Sequence, residues 1–229
     1  MDNNSAENNN KRISFSSYLN MNLIRNVILF SGGIILFIFG VIAYGVVLNL
    51  REVPLKVAMA EKGFTKLNDP NIVIDRSSYT LELFEDTVLI KTYRANFGRN
   101  VNVPKTRAGD LATPVGVYKI CSIDSSRKYY MFFRLNYPNL NDAANALKIG
   151  LINQEEFDKL KFEYYYSDCT DADTPLGGNI GIQGIGKLDF LFRYLPFNYN
   201  WTDGSIAVSN ESMDELSSVV KKGTKVVIK

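Results

Sequence analysis

The chain has 229 residues and a net charge of +2, with 46 % hydrophobic and 22 % charged residues. That admits one ordinary globular domain plus an appendage and gives no basic surface on which to argue for a nucleic-acid partner. It contains no histidine, which excludes Ser-His-Asp and Cys-His constellations and histidine-ligated metal sites and leaves acid–base work to Asp, Glu, Lys, Tyr or Cys.

Residues 1–26 open with an Asn- and Ser-rich stretch that has nothing to pack a core, and they are expected to form a disordered cytoplasmic leader. Residues 27–50 carry no charged side chain and no recurrent polar face. They exceed the roughly 20 residues that span a bilayer core, so a transmembrane anchor is expected. The apolar run is longer than the usual signal-peptide core, and Ala58-Met59-Ala60, which looks like a cleavage site, lies well past it. A retained anchor is therefore preferred over a cleaved signal. Lys11, Arg12 and Arg25 precede the run, while Arg51, Lys56, Lys62 and Lys66 follow it. Positive charge thus does not decide the orientation.

Residues 51–70 read as a linker. From Asn71 the pattern changes to period two. Ile72–Ile74 opens a strand, and Tyr79–Phe84 and Val88–Tyr93 flank a Glu85-Asp86 turn as a hairpin. Strands are expected at Val115–Ile120, Tyr129–Leu135 and Ile180–Gln183, and helices at Asp142–Lys148 and Gln154–Phe162. Tyr164-Tyr165-Tyr166 reads as a lid or a half-buried strand. Near the end, Asn210 or Ser212 caps a helix running to Lys222, Gly223 stops it, and Lys225–Ile228 is a last strand. The outer domain, 71–229, is thus mainly β with a few helices. Cys121 and Cys169 are too few to hold zinc. If that domain lies outside the membrane they can form one disulfide, and otherwise they are two partly buried thiols. No metal or cofactor is expected.

Several stretches, in order, resemble the L,D-transpeptidase (YkuD-like) family. Gly109-Asp110-Leu111-Ala112-Thr113-Pro114-Val115-Gly116-Val117-Tyr118 is similar to its G-D-x-x-T-P-x-G-x-Y element. Gly178-Asn179-Ile180-Gly181-Ile182-Gln183-Gly184 is similar to G-x-I-x-I-H-G, and Trp201–Asn210 to the cysteine motif W-T-x-G-C-I-A-V-S-N. Leu135–Asn139 matches a stretch found in one branch of the family. The resemblance covers about residues 71–229 and implies a YkuD-like β-rich fold acting on peptidoglycan. In that family a cysteine attacks a stem-peptide amide, a histidine takes its proton, and backbone N–H groups hold the oxyanion.

Here Gln183 stands in the histidine's place and Ser205 in the cysteine's. An amide is no base, and a serine hydroxyl needs one. Losing one member of a comparable triad costs on the order of 10⁴- to 10⁶-fold in rate. By resemblance, Gly184, Trp201, Asp203, Gly204 and Ile206 are the expected substrate-binding positions. Asp203, Lys187 or Cys169 would be the candidates for rescuing Ser205. Trp201, Tyr199 and Tyr194 line a groove or belong to the core. Gly181 and Gly184 serve the cleft or only tight packing, and Ala207, where much of the family has arginine, is shared with the branch this chain most resembles. The expected reading is a non-catalytic homologue on the outer face of a bacterial inner membrane, anchored by its single helix. Its partners would be peptidoglycan stem peptides or an active cell-wall enzyme. The alternatives are an acyl transferase using Ser205 and a purely structural envelope module.

Overall fold

The computed structural model describes residues 21–49, 52–171 and 173–229. The expected leader lies mostly outside them, as do Leu50 and Arg51. Helix α1, Met21–Asn49, starts six residues before the expected anchor, because Asn22 and Arg25 continue the same helical backbone. Its Met21–Val47 portion has a mean hydropathy of 2.5 and is long and apolar enough to cross a membrane.

The domain is built on one eight-stranded mixed sheet in the order β3-β2-β1-β8-β4-β5-β6-β7. These strands are β1 Pro70–Asp75, β2 Thr80–Glu85, β3 Val88–Arg94, β4 Gly116–Ser126, β5 Tyr130–Leu135, β6 Gly181–Gly184, β7 Ile206–Val208 and β8 Lys225–Ile228. The hairpin β2–β3 turns at Asp86-Thr87, one residue later than expected, because Glu85 is the buried last residue of β2 and pairs with Val88. The pairs β1–β8 and β6–β7 are parallel and the others antiparallel. Alternation places Ile72, Ile74, Leu81, Leu83, Val226 and Ile228 in one buried core.

Residues 51–70 are not merely a linker. They contain α2, Leu55–Glu61, whose Leu55, Ala58 and Met59 are buried, and Leu67 is buried after it. Glu215 accepts the otherwise orphaned Leu55 N–H at 2.8 Å. Ala58-Met59-Ala60 therefore sits inside a packed helix. The helices α3, Leu140–Lys148, and α4, Gln154–Tyr166, share a second small core of Ala143, Ala146, Ile152, Leu160 and Leu176. Tyr164-Tyr165-Tyr166 is the last turn of α4, neither strand nor lid. The capping boxes of Asn139 and Asn153 start these helices. A 3₁₀ turn, Gly186–Leu188, leads into α5, Asp189–Phe192, and α6, Asn210–Ser217, precedes β8.

The last helix differs from expectation at both ends. Its cap is Ser209, which accepts from Ser212 N–H at 3.1 Å. Asn210 is unavailable because its amide grips Gly186 through two bonds of 2.9 Å. The helix stops at Ser217 rather than Lys222, and the Ser217 and Ser218 hydroxyls bond back to the carbonyls of Asp214 and Glu215. Gly223, at φ +92°, turns the chain into β8.

Cys121 of β4 and Cys169, beyond α4, are joined in a disulfide at a sequence separation of 48. The bond ties the α3–α4 excursion to the sheet. Loop-closure entropy implies that a C121S/C169S variant loses about 2–4 kcal/mol of unfolding free energy. Urea titration would read this, and an unchanged midpoint would mean that the bond constrains nothing in the unfolded chain.

Candidate functional site

Strands β6 and β7 run side by side with Ile182 opposite Ile206 and Gln183 opposite Ala207. Because side chains alternate, Ile182 and Ile206 turn into the core, both fully buried. Continuing that register puts Ser205 beside Gly181, on the face that carries Gln183. Gln183 and Ser205 are thus diagonal neighbours on one face. Gly181 is required there, since a Cβ would come within 2.5 Å of the Phe133 carbonyl oxygen and 2.7 Å of the Phe132 ring. Its N–H donates to Ser205 Oγ at 3.3 Å.

The turn that carries Ser205 is held from within. Thr202 Oγ1 donates to the Ser205 carbonyl at 2.5 Å and accepts from Gly204 N–H at 3.3 Å. Gly204 sits at φ +126°, and a Cβ on it would lie 2.7 Å from the Ala112 carbonyl oxygen. Thr113 Oγ1 in turn accepts Gly98 N–H at 3.0 Å. The Gly109–Tyr118 motif therefore braces this turn from behind and does not line the cleft. Removing the buried Thr202 hydroxyl by Thr202→Val is expected to cost about 1–3 kcal/mol by leaving the Ser205 carbonyl and Gly204 N–H without it. Thermal or urea unfolding checks this, and a loss well below that range would show that the clip is dispensable.

Gln183 and Ser205 open into a cleft of about 700 Å³, which Trp201 and Asp203 also line. Of the other expected substrate contacts, Ile206 is a core residue and Gly204 a packing residue. Gly184, where a Cβ would meet Asn210 Oδ1 and the Tyr129 carbonyl at 2.7 Å, packs as well. None of these three lines the cleft. Arg99, Asp124 and Lys128 do, and no local pattern singles them out. They arrive from a loop and the β4–β5 hairpin and meet only in the folded sheet. A larger groove, about 910 Å³, lies between α2 and α6 but contains neither Gln183 nor Ser205.

Charges surround the two central residues without touching them. Arg99 pairs with Asp203 at the rim, both largely exposed, so the pair contributes little to stability. Among the described residues the Gly181 N–H is the one recorded hydrogen-bond partner of Ser205 Oγ, and no carboxylate or ammonium bonds to it. The hydrogen bond of Lys128 to Tyr129 raises its pKa above the ordinary lysine value, with the charge of Asp203 adding a little. A lysine held more firmly protonated offers less free amine to act as a base near neutral pH. Lys187 is exposed on the 3₁₀ turn and does not line the cleft, and Cys169 is committed to the disulfide. Tyr199 stacks on Phe192 with ring centres 6.5 Å apart, away from Ser205. Among the described residues no group of three His, Cys, Asp or Glu side chains could hold a metal ion.

The family model for the L,D-transpeptidase catalytic domain, YkuD, matches residues 69–228. No curated protein matches the chain. Among solved structures, an L,D-transpeptidase from Xylanimonas cellulosilytica is 15 % identical with a TM-score of 0.41, covering 77 % of this chain and 70 % of its own. Bd1075 of Bdellovibrio bacteriovorus is 21 % identical at a TM-score of 0.45, covering 71 % of this chain and 48 % of its own. The helical cell shape determining protein Pgp2 of Campylobacter jejuni is 19 % identical at 0.45, covering 76 % and 55 %. The chain thus spans about half the length of the last two.

Proposed function

The chain belongs to the L,D-transpeptidase (YkuD) catalytic-domain family, and from that premise we propose that it is a non-catalytic member, anchored by α1 at the outer face of a bacterial inner membrane, whose cleft binds a peptidoglycan stem peptide. The observation that carries this reading is the pairing of Gln183 and Ser205 on one face of an open cleft, with no base among the described residues bonded to the Ser205 hydroxyl. On this reading both reacting groups are replaced by neutral polar ones.

The cleft suits such a ligand. A stem peptide offers amides, carboxylates and an amine, and the walls present cations at Arg99 and Lys128 and anions at Asp124 and Asp203. The Gln183 amide can both donate and accept. The disulfide supports an oxidising compartment, and the apolar helix supports an anchor. A bound stem held without turnover could then be presented to an active cell-wall enzyme. The serine-transferase reading lacks a base. The structural-module reading expects a cleft filled by the chain's own 150–178 region, yet among the described residues of that region only Gly178 lines it.

The test is calorimetry of the full-length protein in detergent against a soluble disaccharide tetrapeptide, with mass spectrometry of the ligand afterwards. Saturable binding with the ligand mass unchanged is expected. Trimmed or cross-linked stems would replace this reading with serine chemistry. Absence of binding at millimolar ligand would leave a structural module.

A further inference from the structure

The connection from β6 to β7 carries a feature that the cleft does not use. Over Leu188–Tyr199 the side chains of Leu188, Phe190, Phe197 and Tyr199 are each more than half exposed. Four large apolar groups within twelve residues form a concentrated apolar tip. The backbone beneath them is firmly held. The Arg94 guanidinium donates to the carbonyls of Leu195 and Phe197, and its Nε donates to Asn198 Oδ1 at 2.8 Å. Asn96 Oδ1 accepts Tyr199 N–H at 3.1 Å, and Asp189 Oδ1 accepts Asn210 N–H at 3.0 Å. A segment anchored this way presents its apolar side chains outward by construction.

A second, independent observation says what covers them. Helix α1 touches this segment: a Cβ placed on Gly45 would lie 1.7 Å from the Tyr194 carbonyl oxygen and 2.6 Å from its carbonyl carbon. Backbone therefore packs on backbone, and glycine is what permits it. Gly45 lies two residues inside the end of the apolar Met21–Val47 stretch, about 3 Å along the helix axis. That stretch is about 40 Å long at this rise, longer than the roughly 30 Å hydrocarbon core, so its end reaches the headgroup region. Aromatic side chains are favoured at that depth.

We propose that the Leu188–Tyr199 segment inserts its apolar tip into the outer headgroup region of the bilayer that α1 spans, so that the domain is docked on the membrane surface rather than tethered above it. The inference rests on the reading of α1 as a retained anchor. It deepens that reading, because the docked segment is the crossover joining the strand of Gln183 to the turn of Ser205. Docking sets the height and tilt of the cleft above the lipid.

The test uses the full chain in vesicles of phosphatidylethanolamine and phosphatidylglycerol. The native cysteines are paired, so a single introduced thiol can carry a polarity-sensitive dye. Three variants are compared: Phe190→Cys at the tip, Phe37→Cys in α1 and Lys148→Cys on α3, with far-UV circular dichroism confirming the fold of each. Lipid-borne spin labels placed near the headgroups are expected to quench the dye at 190 at least threefold more than at 148, with a blue-shifted emission. If the dye at 190 behaves like that at 148 while the dye at 37 is quenched by deep spin labels, docking is overturned and the anchor stands. A blue shift at 190 without lipid quenching means that protein covers the tip, which also overturns docking. An unquenched dye at 37 means that the anchor itself has failed, and this inference fails with it.

Discussion

The paired substitution Gln183→His and Ser205→Cys is expected to convert a silent protein into one that joins or trims peptidoglycan stem peptides, while the unaltered chain shows nothing above background. The reasoning is geometric. Gln183 and Ser205 already lie diagonally on one face of the β6–β7 pair, in one open cleft. A thiol at 205 would inherit the contact with the Gly181 N–H, and an imidazole at 183 would occupy the adjacent position of the same strand face. Cysteine has an ordinary pKa of about 8.5, so some thiolate exists near neutrality even before a base acts on it. Each single change should recover little, because the two groups act as a unit. The pair should exceed either single variant by several orders of magnitude, against triad losses on the order of 10⁴- to 10⁶-fold in comparable systems. Mass spectrometry of fragments incubated with all four proteins reads the result. A folded but silent double variant would mean that the cleft has lost more than its two reacting groups. Turnover by the unaltered chain would mean that Ser205 works with a base supplied some other way.

Local pattern made some parts of this molecule legible and left others hidden. The hairpin β2–β3 was readable because two strand-like apolar runs flank a short turn, although a bulge at Leu83/Phe84 breaks their alternation. The final strand was readable between Gly223 and the chain end. Motif resemblance brought Gln183 and Ser205 together, but the register of Ile182 against Ile206 was not legible, because strands of four and three residues carry too little pattern. The helix α2 was missed because seven residues have no measurable period, and its stability comes from Leu55 and Met59 packing on distant strands. The Ser209 cap was missed for a similar reason. Asn210 is the better-looking cap until its amide is seen gripping Gly186, 24 residues away in sequence. Arg99, Asp124 and Lys128 reach the cleft only once β4, β5 and the 98–113 loop are assembled.

Asp110→Ala is expected to be among the most damaging single changes to stability, at about 3–5 kcal/mol, the usual cost of removing one member of a buried ion pair. Its carboxylate accepts Lys105 Nζ at 2.8 Å and the backbone N–H groups of Thr106, Arg107 and Ala112 at 2.8, 3.0 and 3.1 Å. The side chains of Lys105 and Asp110 are only 4 % and 8 % exposed. Without the carboxylate, the Lys105 ammonium keeps the Arg107 carbonyl at 2.6 Å, the face of Tyr137 and the more distant charge of Asp142. A Lys105→Met change added to Asp110→Ala should therefore recover part of the loss, as expected of coupled neighbours. Burial works to raise the Asp110 pKa, but the hydrogen bonds from Arg107, Lys105, Thr106 and Ala112 outweigh it and leave the pKa below the ordinary aspartate value. A folded pKa below the unfolded one gives stability that is present above about pH 4 and is lost as pH falls through the lowered folded value. Urea titrations at pH 7 and at pH 3 should accordingly show a gap between native and Asp110→Ala proteins that narrows in acid. A loss under 1 kcal/mol at pH 7, or a gap that does not narrow, would count against this account. The consequence reaches the site because the same loop, through the Ala112 carbonyl against Gly204 and Thr113 against Gly98, braces the turn that holds Ser205. The aspartate of the first motif acts on the cleft by keeping that brace in place, without lining the cleft itself.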